Sequence, residues 1–158
     1  MVAWPFAIIA RGLGQGGAVH GRDPQLPGQG MHAVLAFSAV PLLLGAVLSD
    51  WAYAASYQVQ WTNFASWLTA AGLVFAGVAL LWAALASWHA GAARPRHSRL
   101  YLVLLLATVV VGIFNALVHA RDAWAAMPEG LWLSVLVLLL AAVASGLGLA
   151  GLRRRGVS

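Results

Sequence analysis

Between Leu100 and Val118 lie nineteen residues without a single charge, LYLVLLLATVVVGIFNALV. At about 1.5 Å of rise per residue, a helix of that length crosses a bilayer core of about 30 Å. Three further runs of the same kind follow the same logic. Ala33 to Ser49 is uncharged, Phe64 to Trp88 is uncharged for twenty-five residues, and Gly130 to Leu152 is the fourth. Composition agrees: 62% of the 158 residues are apolar and 8% are charged, against about 25% charged in a soluble domain. So small a chain has too little polar surface to cover that much apolar area in water, so lipid is the expected solvent. The fold class that follows is all-α, a polytopic membrane protein built as an antiparallel bundle of four transmembrane helices.

The expected organisation has three parts. Residues 1–31 hold seven glycines and three prolines and read as a mobile cytoplasmic arm. The apolar start, MVAWPFAIIA, has no basic residue before it and so fails as a signal peptide. The glycines of GLGQGG follow no strand and precede no Lys-Ser/Thr pair, so they are not a phosphate loop. Residues 32–152 form the membrane domain, with spans at about 32–51, 64–88, 100–118 and 130–152. Residues 153–158 are a basic tail. Small residues four apart suggest the packing stripes: Pro41, Gly45 and Ser49; Gly72 and Ala76; Thr108, Gly112 and Ala116; Ala142, Gly146 and Ala150. The stretch WAYAASYQVQWT, 51–62, reads as an interfacial connection in an aromatic belt.

Charge gives the orientation. All nine basic residues are arginine. Arg11, Arg22, Arg94, Arg96, Arg99, Arg153, Arg154 and Arg155 fall on one side of the four spans, and Arg121 alone falls on the other. Such an asymmetry places both termini in the cytoplasm and suits a bacterial inner membrane. The formal charge of +5 is thereby a matter of topology, since no aromatic-interleaved basic groove suggests nucleic acid. The absence of cysteine removes disulfides, thiolate chemistry, cysteine-held iron–sulfur clusters and covalent c-type haem.

Two groups of polar residues offer chemistry. His32, His89 and His97 fall at the cytoplasmic ends of the first three spans. Neutral imidazoles on facing helices can ligate a b-type haem, with nearby arginines for its propionates. The plainer reading is histidines resting among lipid headgroups. On the outer side Asn115 and His119 are four apart and share a helix face, Asp50 arrives at similar depth from the first span, and Arg121 follows. A carboxylate in lipid requires a partner, for which His119 and Arg121 are the candidates. The group reads either as a polar clamp between the first and third helices or as a site that relays a proton or touches a quinone head. No nucleophile, base and oxyanion arrangement and no metal-ligand set is assigned.

HAVLAFSAVPLLLGAVLSDWAY, then WLTAAGL, then MPEGLWLS and GLGLAGLRRRGV resemble the bacterial membrane family catalogued as domain of unknown function 2231. That family opens with a histidine and a proline-containing helix, with an aspartate eighteen residues on, as at His32 and Asp50. Its third helix ends with an asparagine and then a basic residue, as at Asn115. Its last helix begins with proline, glycine and serine. Departures occur in the first helix, where Ser38 and Ala39 replace a Phe-Pro pair, and in the third, where Tyr101 and Leu105 replace a histidine and an asparagine. His97, one turn before Tyr101, is the candidate substitute. The resemblance spans residues 32–157. It implies association with electron transport, because some relatives are joined to Rieske or cytochrome c modules. The functional expectation is a non-catalytic membrane anchor or subunit, of a redox assembly or of a homo-oligomer. The alternatives are a small b-haem electron carrier and a proton or small-solute transport element.

Overall fold

A computed structural model of the chain describes residues 27–89, 96–121 and 126–155. They form four long helices: α1 (Pro27–Ser56), α2 (Val59–His89), α3 (Arg96–His119) and α4 (Glu129–Arg155). Each contains a segment long and apolar enough to cross a membrane, namely Val34–Ser56, Val59–Trp88, Arg99–His119 and Glu129–Gly151. The protein is a multi-pass membrane protein of all-α class.

α1 begins at Pro27, five residues before the start expected from sequence, because proline fixes the φ of a first helical residue and lacks only an N–H the helix would leave unpaired. α1 also continues through the first half of the expected aromatic connection, and α2 takes up its last four residues. α1 stops at Tyr57, whose φ of 55° is left-handed and whose N–H donates to the Tyr53 carbonyl at 2.8 Å. That 5→1 bond is the αL helix ending usually given to glycine. Only Tyr57 and Gln58 separate α1 from α2, so the two helices must run antiparallel.

Each helix packs beside two others, α1 against α2 and α4, and α3 against α2 and α4, so the bundle is square in section. Its interior is made mostly of small side chains, chiefly alanine. Ala39, Leu43, Ala76, Val137 and Ala141 form one buried layer, and Ala36, Ala79, Leu105 and Ala144 form the next. The large apolar residues, among them Phe37, Trp51, Phe64, Trp67, Phe114 and Trp132, face outward. This inverts a soluble core. In lipid, burying leucine gains little, and helices associate by letting backbones approach closely. Gly72 is such a point: a Cβ there would stand 3.0 Å from the Leu43 side chain on α1.

The α2 stripe packs as read, with Gly72 and Ala76 buried, and on α3 Thr108 and Gly112 are buried with Ala116 half-buried. The α4 stripe does not. Ala142, Gly146 and Ala150 are exposed, and the inward face is Ser134, Val137, Ala141, Ala144 and Ser145. That face follows the true helical period of 3.6, whereas a strict four-residue spacing drifts off it. Pro41 is also exposed, while Ser49 in the same α1 stripe is buried.

Candidate functional site

The polar side chains of the bundle gather at the end where α1 meets α2 and α3 leads to α4. Asp50 lies six residues before the end of α1, about 9 Å along the helix, and is fully buried. From α3, Asn115 and His119 enter on one face at four-residue spacing, both buried. Ser134, buried in the second turn of α4, completes the group.

These four residues form a closed ring of hydrogen bonds. The Asn115 amide Nδ2 donates to Ser134 Oγ at 2.9 Å. Ser134 Oγ donates to Asp50 Oδ2 at 2.6 Å. Asp50 Oδ1 meets His119 Nε2 at 2.7 Å, and His119 Nδ1 lies 2.9 Å from the Asn115 carbonyl oxygen. The ring begins and ends on Asn115 and ties α1, α3 and α4 together. The Asp50–His119 bond runs across the diagonal of the square, between two helices that otherwise scarcely touch.

The ring also counts protons. A backbone carbonyl can only accept, so His119 Nδ1 must carry a hydrogen to make its bond. The contact between Nε2 and Asp50 Oδ1 requires a second hydrogen, on one atom or the other. The pair therefore holds two protons and no net charge, whether written as imidazolium and carboxylate or as imidazole and carboxylic acid. Net neutrality is what an ionisable pair buried among lipid-facing helices needs.

Gly130 gives His119 its room. A Cβ on Gly130 would stand 3.1 Å from His119 Cε1, and two hydrogen bonds hold the imidazole where it is. Asn115 Oδ1 is buried without a hydrogen-bond partner among the described residues. It is the one buried polar side-chain atom of the ring without any partner there.

Beside the ring, between the start of α2 and the end of α3, lies a surface pocket of about 360 Å³ lined by Gln60, Thr62, Asn63, Ser66, His119 and Arg121, with Val59 at its edge. Arg121 is exposed. It belongs to this pocket rather than to the carboxylate, whose two oxygens are taken by His119 and Ser134.

Of the residues singled out from sequence, Asp50, Asn115 and His119 come together and Arg121 stands next to them. His32, His89 and His97 lie near the opposite end of the bundle, on α1, α2 and α3, and their side chains lie outside the described residues, as do residues 1–26 of the arm and Asp122. The nearest buried layer among the described residues is Ala36, Ala79, Leu105 and Ala144, with Leu35, Leu80 and Tyr101 against them. Sequence reasoning missed Ser134, Gly130 and Thr62 as site residues. A signal for the first two was present, since both belong to the Pro-Gly-Ser run at the start of the last helix.

Protein-family models, curated proteins and solved structures contain no match to this chain.

Proposed function

We propose that the protein is a non-catalytic membrane subunit or anchor, seated in a bacterial inner membrane with both termini in the cytoplasm. The observation that carries this reading is the closed ring. Asp50, Ser134 and His119 use their bonding capacity on one another and on Asn115, which is how a clamp is built. A group meant to turn over substrate presents an open position instead. The arginine asymmetry of eight against one supports the orientation. The resemblance to the domain of unknown function 2231 supports a redox assembly as the partner. Four of the positions that carry it, Asp50, Asn115, Gly130 and Ser134, meet at one cluster, as a fold-defining polar set would.

The test is cross-linking and mass spectrometry of the chain isolated in mild detergent. A single stoichiometric partner, retained by the natural chain and lost when Asp50→Asn loosens the bundle, is the expected result. A chain that is always recovered alone and monomeric overturns the reading.

A second reading is a proton or small-solute transport element. What favours it is Asn115 Oδ1, buried and without a partner among the described residues, next to a proton-sharing pair whose histidine lines a pocket. It predicts that Asp50→Asn abolishes proton uptake in liposomes while the melting temperature stays unchanged. The carrier reading with haem b on His32, His89 or His97 is the weaker alternative, since it rests on the positions of those histidines in the sequence. A reduced-minus-oxidised absorbance spectrum of protein made with ample haem tests it, and an α-band that survives His32→Ala removes His32 from any such site.

A further inference from the structure

We propose that the bundle interior holds a binding site for one ordered water molecule, between Thr69 on α2 and Asn115 on α3, and that this water joins α2 to the polar ring. Both side chains are 0% exposed. Thr69 Oγ1 and Asn115 Oδ1 are both buried with no hydrogen-bond partner among the described residues. A buried polar atom is costly unless something completes it, and inside a membrane bundle ordered water is one of the few groups that can.

The two atoms belong to one layer. A Cβ on Gly112 of α3 meets the Leu73 side chain of α2, so those residues stand at about one height. Asn115 lies three residues from Gly112 and Thr69 four residues from Leu73, about 4.5 Å and about 6 Å along their helices in the same direction. Thr69 and Asn115 are therefore level, on neighbouring helices of the square. Asn115 gives its Nδ2 to Ser134 of α4. Because α3 stands between α2 and α4, a planar amide with its nitrogen on α4 turns its oxygen toward the α2 side.

Chemistry and room agree. An amide oxygen can only accept, whereas a hydroxyl can donate, so one water accepts from Thr69 and donates to Asn115. Threonine in a helix can instead turn its hydroxyl back on the carbonyl four residues earlier, as Thr108 does on Leu104 at 2.8 Å. Thr69 does not. Thr62 Oγ1 shares that trait but lies seven residues away, about 10 Å along α2. The layer around Thr69 is completed by Ser134 on α4 and by Ala46 on α1, the neighbour of Gly45, whose Cβ would stand 3.2 Å from Leu68. No side chain in it is larger than asparagine, while Leu43 and Val137 fill the layer further in. A polar layer of small side chains with two unpaired partners is where a bridging water is held. The ring's side chains come from α1, α3 and α4, so the water gives α2 its share in the network, whether the ring acts as a clamp or as a relay.

The test pairs a crystal structure of the full chain, at a resolution that shows ordered water, with thermal unfolding of two variants in detergent. The expected density has a peak within hydrogen-bond distance of both Thr69 Oγ1 and Asn115 Oδ1. Thr69→Val keeps the shape, removes the hydroxyl and strands the amide oxygen. Its melting temperature is expected to fall, with the ratio of folded to unfolded chain lowered about fivefold, the value of one hydrogen bond. Thr69→Ser, which retains the hydroxyl, is expected to fall less. The sign decides, because a hydroxyl that nothing completes would be improved upon by valine and melting would rise. A Thr69→Val chain at least as stable as the natural one, a Thr69→Ser chain that loses as much as Thr69→Val, or density with no peak between the two atoms overturns the proposal. None of the ring's own bonds involves Thr69, so both variants keep the ring, and the density is read on the natural chain whatever they do.

Discussion

His119 on α3 reaches Asp50 on α1 at 2.7 Å, across the diagonal of the bundle, while both helices rest chiefly against α2 and α4. A side-chain bond is therefore the main link between opposite corners of the square. Such a bond fixes the relative height of α1 and α3 as well as their distance. A double-mutant cycle with Asp50→Asn and His119→Gln, read by unfolding in detergent, is expected to give a coupling energy of about 1–3 kcal/mol. Additive effects would show that the diagonal pair contributes nothing to the assembly of the four helices.

Ser134 stands between two partners and loses both in Ser134→Ala. Asp50 Oδ2 is left without its donor and Asn115 Nδ2 without its acceptor. The expected loss is about 1–3 kcal/mol. By contrast Ser145→Ala, which removes one bond of 3.1 Å to the Ala36 carbonyl, is expected to cost about 0.6 kcal/mol, typical of an interhelical hydrogen bond in a membrane. Unfolding free energies for the two variants in the same detergent check the ranking.

Gly130→Ala is expected to destabilise by about 1–3 kcal/mol, because the new methyl meets an imidazole pinned by two bonds and cannot displace it freely. Gly146→Ala is the control. A Cβ at Gly146 meets nothing within 4 Å, so that substitution is expected to be neutral or to stabilise by up to about 1 kcal/mol through better helix propensity. Melting temperatures of both variants decide the matter, and equal effects would remove Gly130 from the site.

Gly112→Val probes the other half of the bundle. A Cβ on Gly112 already collides with the Leu73 side chain of α2, and a branched residue there forces α2 and α3 apart. The expected outcome is a loss of about 2 kcal/mol or more, with partial recovery when Leu73→Ala is added. Failure of the second change to recover anything would place the cost within α3 itself.

The sequence carried the spans because each is an uninterrupted apolar run, and nothing but a membrane helix has that form. Asp50 was visible as an acid at the end of such a run, and Asn115 with His119 was visible as a pair on one helix face. Ser134 and Thr62 were not. In an apolar helix a hydroxyl can satisfy itself on its own backbone, as Ser49, Ser66 and Thr108 do, and sequence does not distinguish those from hydroxyls that reach another helix. The end of α1 was misplaced for a similar reason. Tyrosine is a poor residue for a left-handed position, so Tyr57 carried no mark of the helix ending it makes, and the aromatic stretch around it read as a connection.

The two-residue link at Tyr57 and Gln58 also determines how the molecule comes into being. α1 and α2 leave the ribosome first and, joined so tightly, must enter the bilayer as one hairpin. That hairpin carries an acid whose base and hydroxyl have not yet been synthesised. α3 and α4 bring both in a second hairpin. The protein is thus two half-molecules with complementary needs, and the acid of the first is answered only when the second docks. A chain interrupted between α2 and α3 and expressed as two pieces would hold the same interlocking parts, with Asp50 acting as the key that admits only the matching half.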